Sequence, residues 1–390
     1  MIAPQPDQPA EILQFGTSRF LLAHVDYFVS ESLAARRSDK RIVIVQGSSR
    51  PEGRRKASDL AERLQYPVHF RGRRDGRTID TEEWVDSLAA CLIADSDWEE
   101  IERRFVEEIT HVVSNTGEDG YAIPADDDPR HALPASFPAR LTKLLRARYV
   151  RNGRGVTLMP CELIPSNGQR LREIVHDHAD AHYTDSDFLA WLNQECLWID
   201  TLVDRIVSST IEPVGAVAEP YGLWAIRETT GLELPCHHPD VQVVKDLTPY
   251  EKRKLHVLNL SHSWLVQRWY DQGLTSRLSY VREAMQEPSL RAPLESMLRD
   301  EVLPVLEREL PGLRVEDYIE TTLERFSNPF LDHRLEDIAQ HHQEKLRRRL
   351  APVHEMARAL GHATPLLASV LHSTGMVGQS EGGDSHRKTR

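Results

Sequence analysis

Residues 11–45 read EILQFGTSRFLLAHVDYFVSESLAARRSDKRIVIV. The segment opens with a short apolar run, Glu11–Phe15, that stops at Gly16, and it closes with Arg41–Val45, a β-branched run typical of a buried strand. Between the two runs, apolar residues recur at helical spacing from Phe20 to Leu33. A strand, a glycine turn, a helix and a second strand form the opening of a βαβ unit, so this stretch predicts a parallel α/β sheet.

The same alternation of strands and helices continues to about residue 245, and residues 47–56 are predicted to form a loop. Further strands are expected at Thr110–Val113, Val156–Pro160 and Ile206–Ile211, with helices around 98–109, at Pro138–Arg148 and from about Gln169. From Pro249 to about Leu360 the pattern is helical, with no convincing strand. We therefore predict the α/β class: a Rossmann-like dinucleotide-binding domain at 1–245, a mainly α-helical substrate and catalytic domain at 246–375, and a disordered tail at 376–390.

Composition excludes several classes of function. The chain has 390 residues, 40% of them apolar and 28% charged, which is the balance of an ordinary globular protein of two to three domains. A net charge of -12 argues against nucleic acid as the main partner. No apolar run is long enough to span a membrane, and the first residues lack the features of a secretory signal. Because the four cysteines form no CxxC pair or disulfide framework, we expect a reduced, cytoplasmic protein.

The glycine turn after the first predicted strand is a candidate dinucleotide site. Residues Gly16, Thr17, Ser18, Arg19 and Phe20 lie where backbone N–H groups at a helix start hold a pyrophosphate. A complete G-x-G-x-x-G motif would need glycine at positions 18 and 21, where this chain has serine and leucine. The turn alone leaves a cofactor site and an ordinary strand–helix connection equally open.

The end of the second predicted strand carries no acid. NAD-binding domains place a carboxylate near this point to bind the ribose, whereas this chain continues with Gln46, Gly47, Ser48, Ser49 and Arg50. One interpretation is a looser choice of cofactor, in which Ser48, Ser49 or Arg50 accepts a 2′-phosphate. The other is an ordinary surface loop, so NAD and NADP both stay open.

The helix that begins in the capping box at Thr248 carries the most informative polar set. At about 100° per residue, Lys254, Asn259 and His262 share one half of this helix, which is apolar on both sides and therefore buried. Burial lowers the pKa of a lysine, so Lys254 is a candidate general base; Asn259 is suited to a developing oxyanion, and His262 to orienting a substrate hydroxyl. The alternative is a satisfied polar pocket. The segment Cys236–His238 lacks a second ligand pair, so we expect no metal.

The spacing Lys254-x-x-x-x-Asn259-x-x-His262 resembles the signature of the polyol-specific long-chain dehydrogenase/reductase family, also called the mannitol dehydrogenase family. The resemblance extends from about residue 11 to 355. Matching stretches follow in order: ILQFGTSRFLLAHVDYF near the start, VSNTGEDGY at 113–121, MPCELIPSNG at 159–168, VDRI at 203–206, EPYGLWAIR at 219–227 and RFSNPFLDHRLEDIA at 325–339.

The resemblance implies a two-domain, metal-independent oxidoreductase that uses NAD, with NADP as the alternative. It gives Lys254 the role of acid/base, Asn259 that of an oxyanion donor, His262 that of a substrate-orienting residue and Asp204 that of an active-site acid. Mannitol dehydrogenases have an Asp-Asn pair where this chain has Glu162-Leu163, and we take Asn167 as the second oxyanion donor. The cofactor-binding residues are then Gly16, Thr17, Ser18, Arg19, Phe20, Gln46, Asn115 and Thr116.

The substrate implied by the resemblance is a small sugar acid or polyol. Lys345 aligns with a substrate-contacting lysine of the polyol branch, but Asp337 replaces an arginine there, and the CEL and NPFLDH segments are closer to the tagaturonate reductases. A hexuronate carboxylate needs a cation, for which Lys345, His333 and Arg334 are candidates.

The expected activity is therefore NAD(P)-dependent interconversion of a keto sugar acid and its hydroxy form, of the tagaturonate/altronate or fructuronate/mannonate type. The alternatives are a mannitol- or arabinitol-type polyol 2-dehydrogenase of the same family and a non-catalytic dinucleotide or sugar-acid sensor on this fold. We expect no nucleic-acid or membrane partner, and a monomer or a small homo-oligomer.

Overall fold

The computed structural model describes residues 10–48, 50–117, 120–151 and 153–375. The chain forms two compact units. The first comprises the residues up to Gly72 together with Thr78–Leu247, and the second comprises Arg73–Arg77 together with the chain from Thr248 onwards. The predicted tail at 376–390 lies outside the described residues.

The strands are β1 (Ile12–Phe15), β2 (Ile42–Gln46), β3 (Tyr66–Arg74), β4 (Arg77–Val85), β5 (Leu88–Ile93), β6 (His111–Ser114), β7 (Thr157–Pro160), β8 (Leu197–Trp198), β9 (Thr201–Asp204), β10 (Val207–Thr210), β11 (Ala216–Ala218), β12 (Leu223–Arg227) and β13 (Val241–Val244). The α-helices of the first unit are α1 (Arg19–Leu22), α2 (Val25–Ala34), α3 (Pro51–Arg63), α4 (Ala94–Glu107), α5 (Phe137–Arg151), α6 (Asn167–Tyr183) and α7 (Ser186–Gln194).

The central sheet of the first unit has the order β5-β2-β1-β6-β7-β8, and its neighbouring strands are parallel. Numbered along the chain within this sheet, the order is 3-2-1-4-5-6, which is the arrangement of doubly wound dinucleotide-binding domains. The structure therefore confirms the predicted Rossmann-like fold.

Both faces of this sheet are covered, which explains the continuous apolar runs of its strands. Successive side chains of a strand point to opposite faces. In β1, Ile12 joins the core that contains Phe28 of α2, whereas Leu13 joins the core that contains Phe105 of α4 and Leu141 of α5. A strand buried on both sides places its carboxyl end, and the turn that follows it, at a fixed edge of the sheet.

Two smaller sheets were not predicted. One has the order β10-β11-β3-β4 and the other β13-β12-β9. The predicted strand Ile206–Ile211 exists as β10, but it belongs to the first of these sheets. The hairpin strand β4 is exposed along nearly its whole length, so its polar sequence carries no alternation of buried and exposed residues.

The loop predicted for residues 47–56 is wrong in its second half, because α3 begins at Pro51. Proline suits the first turn of a helix, where its missing N–H would have no partner in any case. Ala57 and Leu60 then bury the inner side of α3 in the core of the first unit. The basic residues Arg54, Arg55 and Arg63 of the same helix are exposed, and they obscure the helical period of the apolar residues.

The second unit is helical, as predicted. From Thr248 to Ser373 the described chain forms α8 (Thr248–Arg253), a π-helix (Lys254–Asn259), α9 (Leu260–Asp271), α10 (Val281–Ala284), α11 (Pro288–Ser296), a second π-helix (Met297–Val302), α12 (Leu303–Glu309), α13 (Val315–Phe326), α14 (Leu335–Ile338), α15 (His342–Arg349), α16 (Ala351–Ala359) and α17 (Pro365–Ser373). Among the described residues, no helix combines the length and the apolar character that a membrane crossing requires.

Candidate active site

The first unit has a crevice of about 510 Å³ at the carboxyl ends of β1, β2 and β6. Five of the predicted cofactor residues line it: Gly16, Thr17, Gln46, Asn115 and Thr116. In doubly wound folds, ligands bind outside the carboxyl ends of the strands, where the strand order reverses on either side of the first strand. The crevice occupies that position.

Gly16 fits the close approach that a dinucleotide requires. Its φ of +114° is disfavoured for L side chains, and a Cβ at this position would lie 3.0 Å from the carbonyl oxygen of Asn115. Ser18, at the place of the missing second glycine, caps α1. Its Oγ accepts a hydrogen bond from the backbone N–H of Leu21 at 3.2 Å and donates to Asn115 Oδ1 at 3.4 Å. The turn therefore keeps its glycine where the backbone requires one, and it uses a serine to fix the loop after β6.

The remaining predicted cofactor residues lie outside this crevice. Ser18 and Arg19 line a neighbouring cavity of about 860 Å³, together with Thr17 and Arg50. Phe20 is in the lining of neither cavity, and its ring stacks on the ring of His24 with a centroid separation of 4.7 Å. Its place in the structure is therefore a packing position beside α2.

Glu162 organises the loop that carries Asn115 and Thr116, a role that the sequence did not reveal. Its buried carboxylate accepts hydrogen bonds from Ser114 Oγ and from both the backbone N–H and Oγ1 of Thr116, all at 3.0 Å, and from the Tyr121 hydroxyl at 3.2 Å. Burial raises the pKa of Glu162, and the hydrogen bonds from Thr116 and Ser114 oppose that rise. A glutamate two residues after the end of β7 thus holds the loop on one side of the crevice.

The lining of the crevice carries positive charge. Two arginines, Arg50 and Arg140, are in its lining, and the lining residues that the structure describes include no carboxylate. Arg140 is held in place, because its Nε donates to the carbonyl of Pro134 and its Nη1 to the carbonyl of Gly47, each at 2.7 Å. In the sequence, Arg140 is marked by its position inside an otherwise apolar stretch of helix, Phe137–Leu141.

The geometry of Asn167 does not support it as the second oxyanion donor. This residue is 1% exposed, and its Nδ2 lies 2.9–3.1 Å from the main-chain carbonyls of Pro160, Glu162 and Thr201. Its Oδ1 accepts from the N–H groups of Gly168 and Thr201, both at 2.9 Å. Since an amide has only two hydrogens to donate, both are already used, and Asn167 instead joins β7, α6 and β9.

Asp204, the predicted active-site acid, is the last residue of β9 and is 5% exposed. It pairs with Leu223 in the three-stranded sheet. The next residue, Arg205, is also buried and donates from its Nε to the carbonyl of Tyr221 at 2.9 Å. Asp204 therefore has a defined backbone position within the first unit.

In the second unit, Lys254 and Asn259 are the first and last residues of a π-helix. This differs from the uniform α-helix assumed above, in which five residues correspond to a rotation of about 140°. A π-helix bonds residue i to residue i+5, so two residues five apart lie close to the same side of the helix. Both side chains are half-buried, and the wider turn brings an amine and an amide to one face. Such turns occur frequently at functional sites.

His262 follows three residues after the π-helix, on α9, and is 6% exposed. Its ring stacks on Phe326 with a centroid separation of 4.2 Å and meets the edge of His333 at 4.7 Å. The aromatic contacts fix the plane of the imidazole, as a residue that orients a substrate requires.

The predicted cations for a substrate carboxylate differ in their surroundings. Burial lowers the pKa of His333, so this residue is neutral near pH 7 and offers no positive charge. Arg334 is exposed and pairs with Glu336 at 3.1 Å. Lys345 lies on α15, and its Nζ donates to the carbonyl oxygen of Ile338 at 2.9 Å. Of the three, Lys345 is thus the residue that is both charged and partly buried.

The fold and the crevice define a dinucleotide-binding protein of the Rossmann type, and the family matches and relatives described next make it an NAD-dependent dehydrogenase that acts on a CH–OH group. Sequence comparison then identifies the family. Residues 10–235 match the Rossmann domain of mannitol dehydrogenase, and residues 246–375 match the mannitol dehydrogenase C-terminal domain. The chain belongs to the mannitol dehydrogenase family, as the sequence analysis predicted.

Similar curated proteins are altronate oxidoreductases. That of Halalkalibacterium halodurans is 31% identical over 366 residues, which cover 88% of this chain and 70% of the relative. The enzyme of Bacillus subtilis is 30% identical over 368 residues, covering 88% and 74%. That of Pectobacterium atrosepticum is 32% identical over 375 residues, covering 90% and 75%.

Solved structures show the same fold. A D-sorbitol dehydrogenase in substrate-free form superposes with a TM-score of 0.81 at 23% identity, covering 95% of this chain and 81% of that one. Mannitol 2-dehydrogenase of Pseudomonas fluorescens, in a ternary complex with NAD and D-mannitol, has a TM-score of 0.70 at 23% identity, covering 94% and 78%.

Proposed function

We propose that this chain reduces a keto sugar acid to the corresponding hydroxy acid, of the tagaturonate/altronate or fructuronate/mannonate type, and catalyses the reverse oxidation. The observation that carries the chemistry is the π-helix with Lys254 at its start and Asn259 at its end, followed by a fixed imidazole at His262. The substrate class is supported by the altronate oxidoreductases, which are 30–32% identical over nearly nine-tenths of the chain.

Each residue then has one task. The cofactor would be held by Gly16, Thr17, Gln46, Asn115 and Thr116, the predicted residues that line the crevice. When bound, the nicotinamide supplies a hydride to the carbonyl carbon. Residues of this chain stabilise and protonate the carbonyl oxygen.

In the reduction, the amide of Asn259 donates a hydrogen bond to the carbonyl oxygen as negative charge develops on it, and Lys254 Nζ delivers the proton. In the oxidation, Lys254 takes that proton from the hydroxyl. His262 orients the substrate through a neighbouring hydroxyl. The proposal uses no metal: the amide stabilises the developing negative charge by a hydrogen bond, and the proton from the ammonium neutralises it.

The experiment that tests this function is the absorbance at 340 nm, with NADH and NADPH in separate reactions, against tagaturonate, fructuronate and fructose. We expect rapid oxidation of one reduced cofactor with a uronate. The variant Lys254→Ala should lose about 10²- to 10⁴-fold in kcat, the usual contribution of a positioned acid or base, while its affinity for NADH, measured by fluorescence titration, stays unchanged.

The matched control is Lys252→Ala, which removes an exposed lysine of the neighbouring α8. It should keep the full rate. Turnover retained in Lys254→Ala would contradict the assignment of this lysine as the acid/base. Cofactor binding without turnover on a broad panel of sugar acids and polyols would favour a non-catalytic sensor.

A further inference from the structure

The helix α15 packs along the part of the second unit that carries Asn259. Arg349, the last residue of α15, extends its guanidinium over this surface. Its Nη1 lies 3.2 Å from the main-chain oxygen of Asn259 and donates to Ser263 Oγ at 2.9 Å. The carbonyl oxygen of Arg349 is 3.0 Å from Nδ1 of His256. Both ends of the residue are therefore tied to the helix that holds the proposed catalytic amide.

Asn259 has different neighbours on its two sides. On α9, His262 lies about 60° from Asn259 in one direction and Ser263 about 40° in the other, from the α-helical rotation per residue. The first side carries the aromatic stack of His262 and Phe326. The second carries Arg349 through its bond to Ser263. The half-buried Asn259 therefore has the aromatic rings of His262 and Phe326 on one side and the guanidinium of Arg349 on the other.

Arg349 is a half-buried cation whose charge no described carboxylate balances. Its hydrogen bonds go to neutral oxygens, and the charge that acts on it is that of another cation, Arg348. Burial lowers the pKa of Arg349 to about 10, so it stays charged near neutral pH. Other guanidinium N–H groups of Arg349 have no partner in the described part of the chain, which leaves donors for an incoming anion.

The surroundings reinforce this positive charge. Burial and the nearby charges of Lys345 and Arg349 lower the pKa of His342 to about 4. Asp271 is the acid that acts on this group, and it is already bonded to Gln267 at 2.7 Å. A partly desolvated guanidinium without a counter-ion is costly unless an anion completes it, and a carboxylate matches its planar fork with two parallel hydrogen bonds.

We propose that Arg349 binds the carboxylate of the sugar-acid substrate and thereby sets a preference for sugar acids over neutral polyols. This inference rests on the proposed function, because it assigns a partner to the acid group of that substrate. It replaces His333 and Arg334, the first of which is neutral and the second exposed and paired. Arg349 could not be singled out from the sequence, because it is one of three consecutive arginines at 347–349.

The test compares Arg349→Gln and Arg349→Lys with the wild type on one uronate and on fructose. In Arg349→Gln, the KM for the uronate should rise about 10- to 100-fold, as expected for the loss of a charge-assisted hydrogen bond. The kcat on the uronate and the kcat/KM on fructose should change less than about threefold, within the range of a lost neutral contact. Arg349→Lys should recover part of the uronate KM, because it restores the charge without the planar fork.

A second measurement avoids turnover. Calorimetric titration of the hydroxy acid into the enzyme saturated with NADH forms a complex that cannot react, and its Kd should rise in Arg349→Gln by the same factor as the KM. The Kd for NADH itself should not change. The control is Arg347→Gln, which removes another exposed arginine of the same helix and should leave every value at the wild-type level.

The outcomes separate the two proposals. Equal losses on the uronate and on fructose would overturn the role of Arg349 as a carboxylate ligand and would make it a support for Asn259. A uronate KM that does not move in Arg349→Gln would overturn it as well. A wild-type enzyme that reduces fructose but no sugar acid would instead refute the proposed substrate class, before any variant is compared. Melting curves of each variant identify a loss that comes from unfolding.

Discussion

Replacing Asn167 by alanine should destabilise the first unit rather than slow the chemistry. The substitution removes the acceptor of two buried N–H groups, those of Gly168 and Thr201, and a donor to three main-chain carbonyls. A buried polar group that loses its partner costs about 1–3 kcal/mol. With two N–H groups left unsatisfied, we expect a loss of about 3 kcal/mol in the free energy of unfolding.

For a unit of this size, 1 kcal/mol corresponds to a shift of roughly 2–4 °C in Tm, so Asn167→Ala should melt roughly 6–12 °C below the wild type. The assay is thermal unfolding followed by circular dichroism, with urea denaturation at 25 °C as an independent measure. Asn193→Ala is the matched control, because it truncates an exposed asparagine of α7 whose side chain accepts hydrogen bonds from Arg172. Its Tm should stay within about 2 °C of the wild type.

The competing interpretation makes the opposite prediction. If Asn167 polarised the substrate oxygen, its alanine variant would keep the wild-type Tm and lose about 10²- to 10³-fold in kcat, as expected for one oxyanion donor. A variant that melts like the wild type and turns over slowly would therefore refute the geometric argument. A lower Tm with a near-normal kcat, measured well below the melting range, would support it.

Two further predictions concern buried carboxyls of the first unit. Glu162→Ala should weaken NADH binding about 10-fold or more by fluorescence titration, because the loop held through Ser114 and Thr116 loses its acceptor. Glu162→Gln should lose less, and an unchanged Kd in the alanine variant would contradict the role. Burial raises the pKa of Asp26 from 3.8 to about 7, so the folded chain retains a proton there that the unfolded chain releases. Stability should therefore fall between about pH 4 and pH 7, by about 4 kcal/mol in all, and Asp26→Asn should abolish that slope in urea denaturation. An identical slope in both proteins would show that another group titrates.

Much of the fold could be predicted because each central strand is marked by a short apolar run in its own stretch of sequence. The strands β1, β2, β6 and β7 are buried throughout and mostly apolar, since both faces of the sheet are covered. The hairpin β3–β4 could not be found in the same way. Its second strand is solvated on both sides, and β3 pairs with β11, a strand nearly 150 residues later in the chain.

The candidate site also contains residues that could be predicted from the sequence and residues that could not. Lys254, Asn259 and His262 were identified from their spacing on one helix and from the resemblance. The π-helix that brings the first two together was not predicted, because a hydrophobic pattern of period 3.6 reveals no local change in the turn. Arg140 and Glu162 were missed because each is defined by partners far away in the sequence.

The class of the protein follows from the amino-acid sequence, through the buried parallel strands, the helical second half and a polar triplet at fixed spacing. Which polar side chains are still available to a substrate depends on the tertiary fold. The partners of Asn167 include Thr201, 34 residues away, and the main-chain oxygen of Asn259 meets Arg349 at a separation of 90 residues. Burial and secondary structure follow from local periodicity, whereas the saturation of a hydrogen-bonding group depends on which distant segments the fold brings against it.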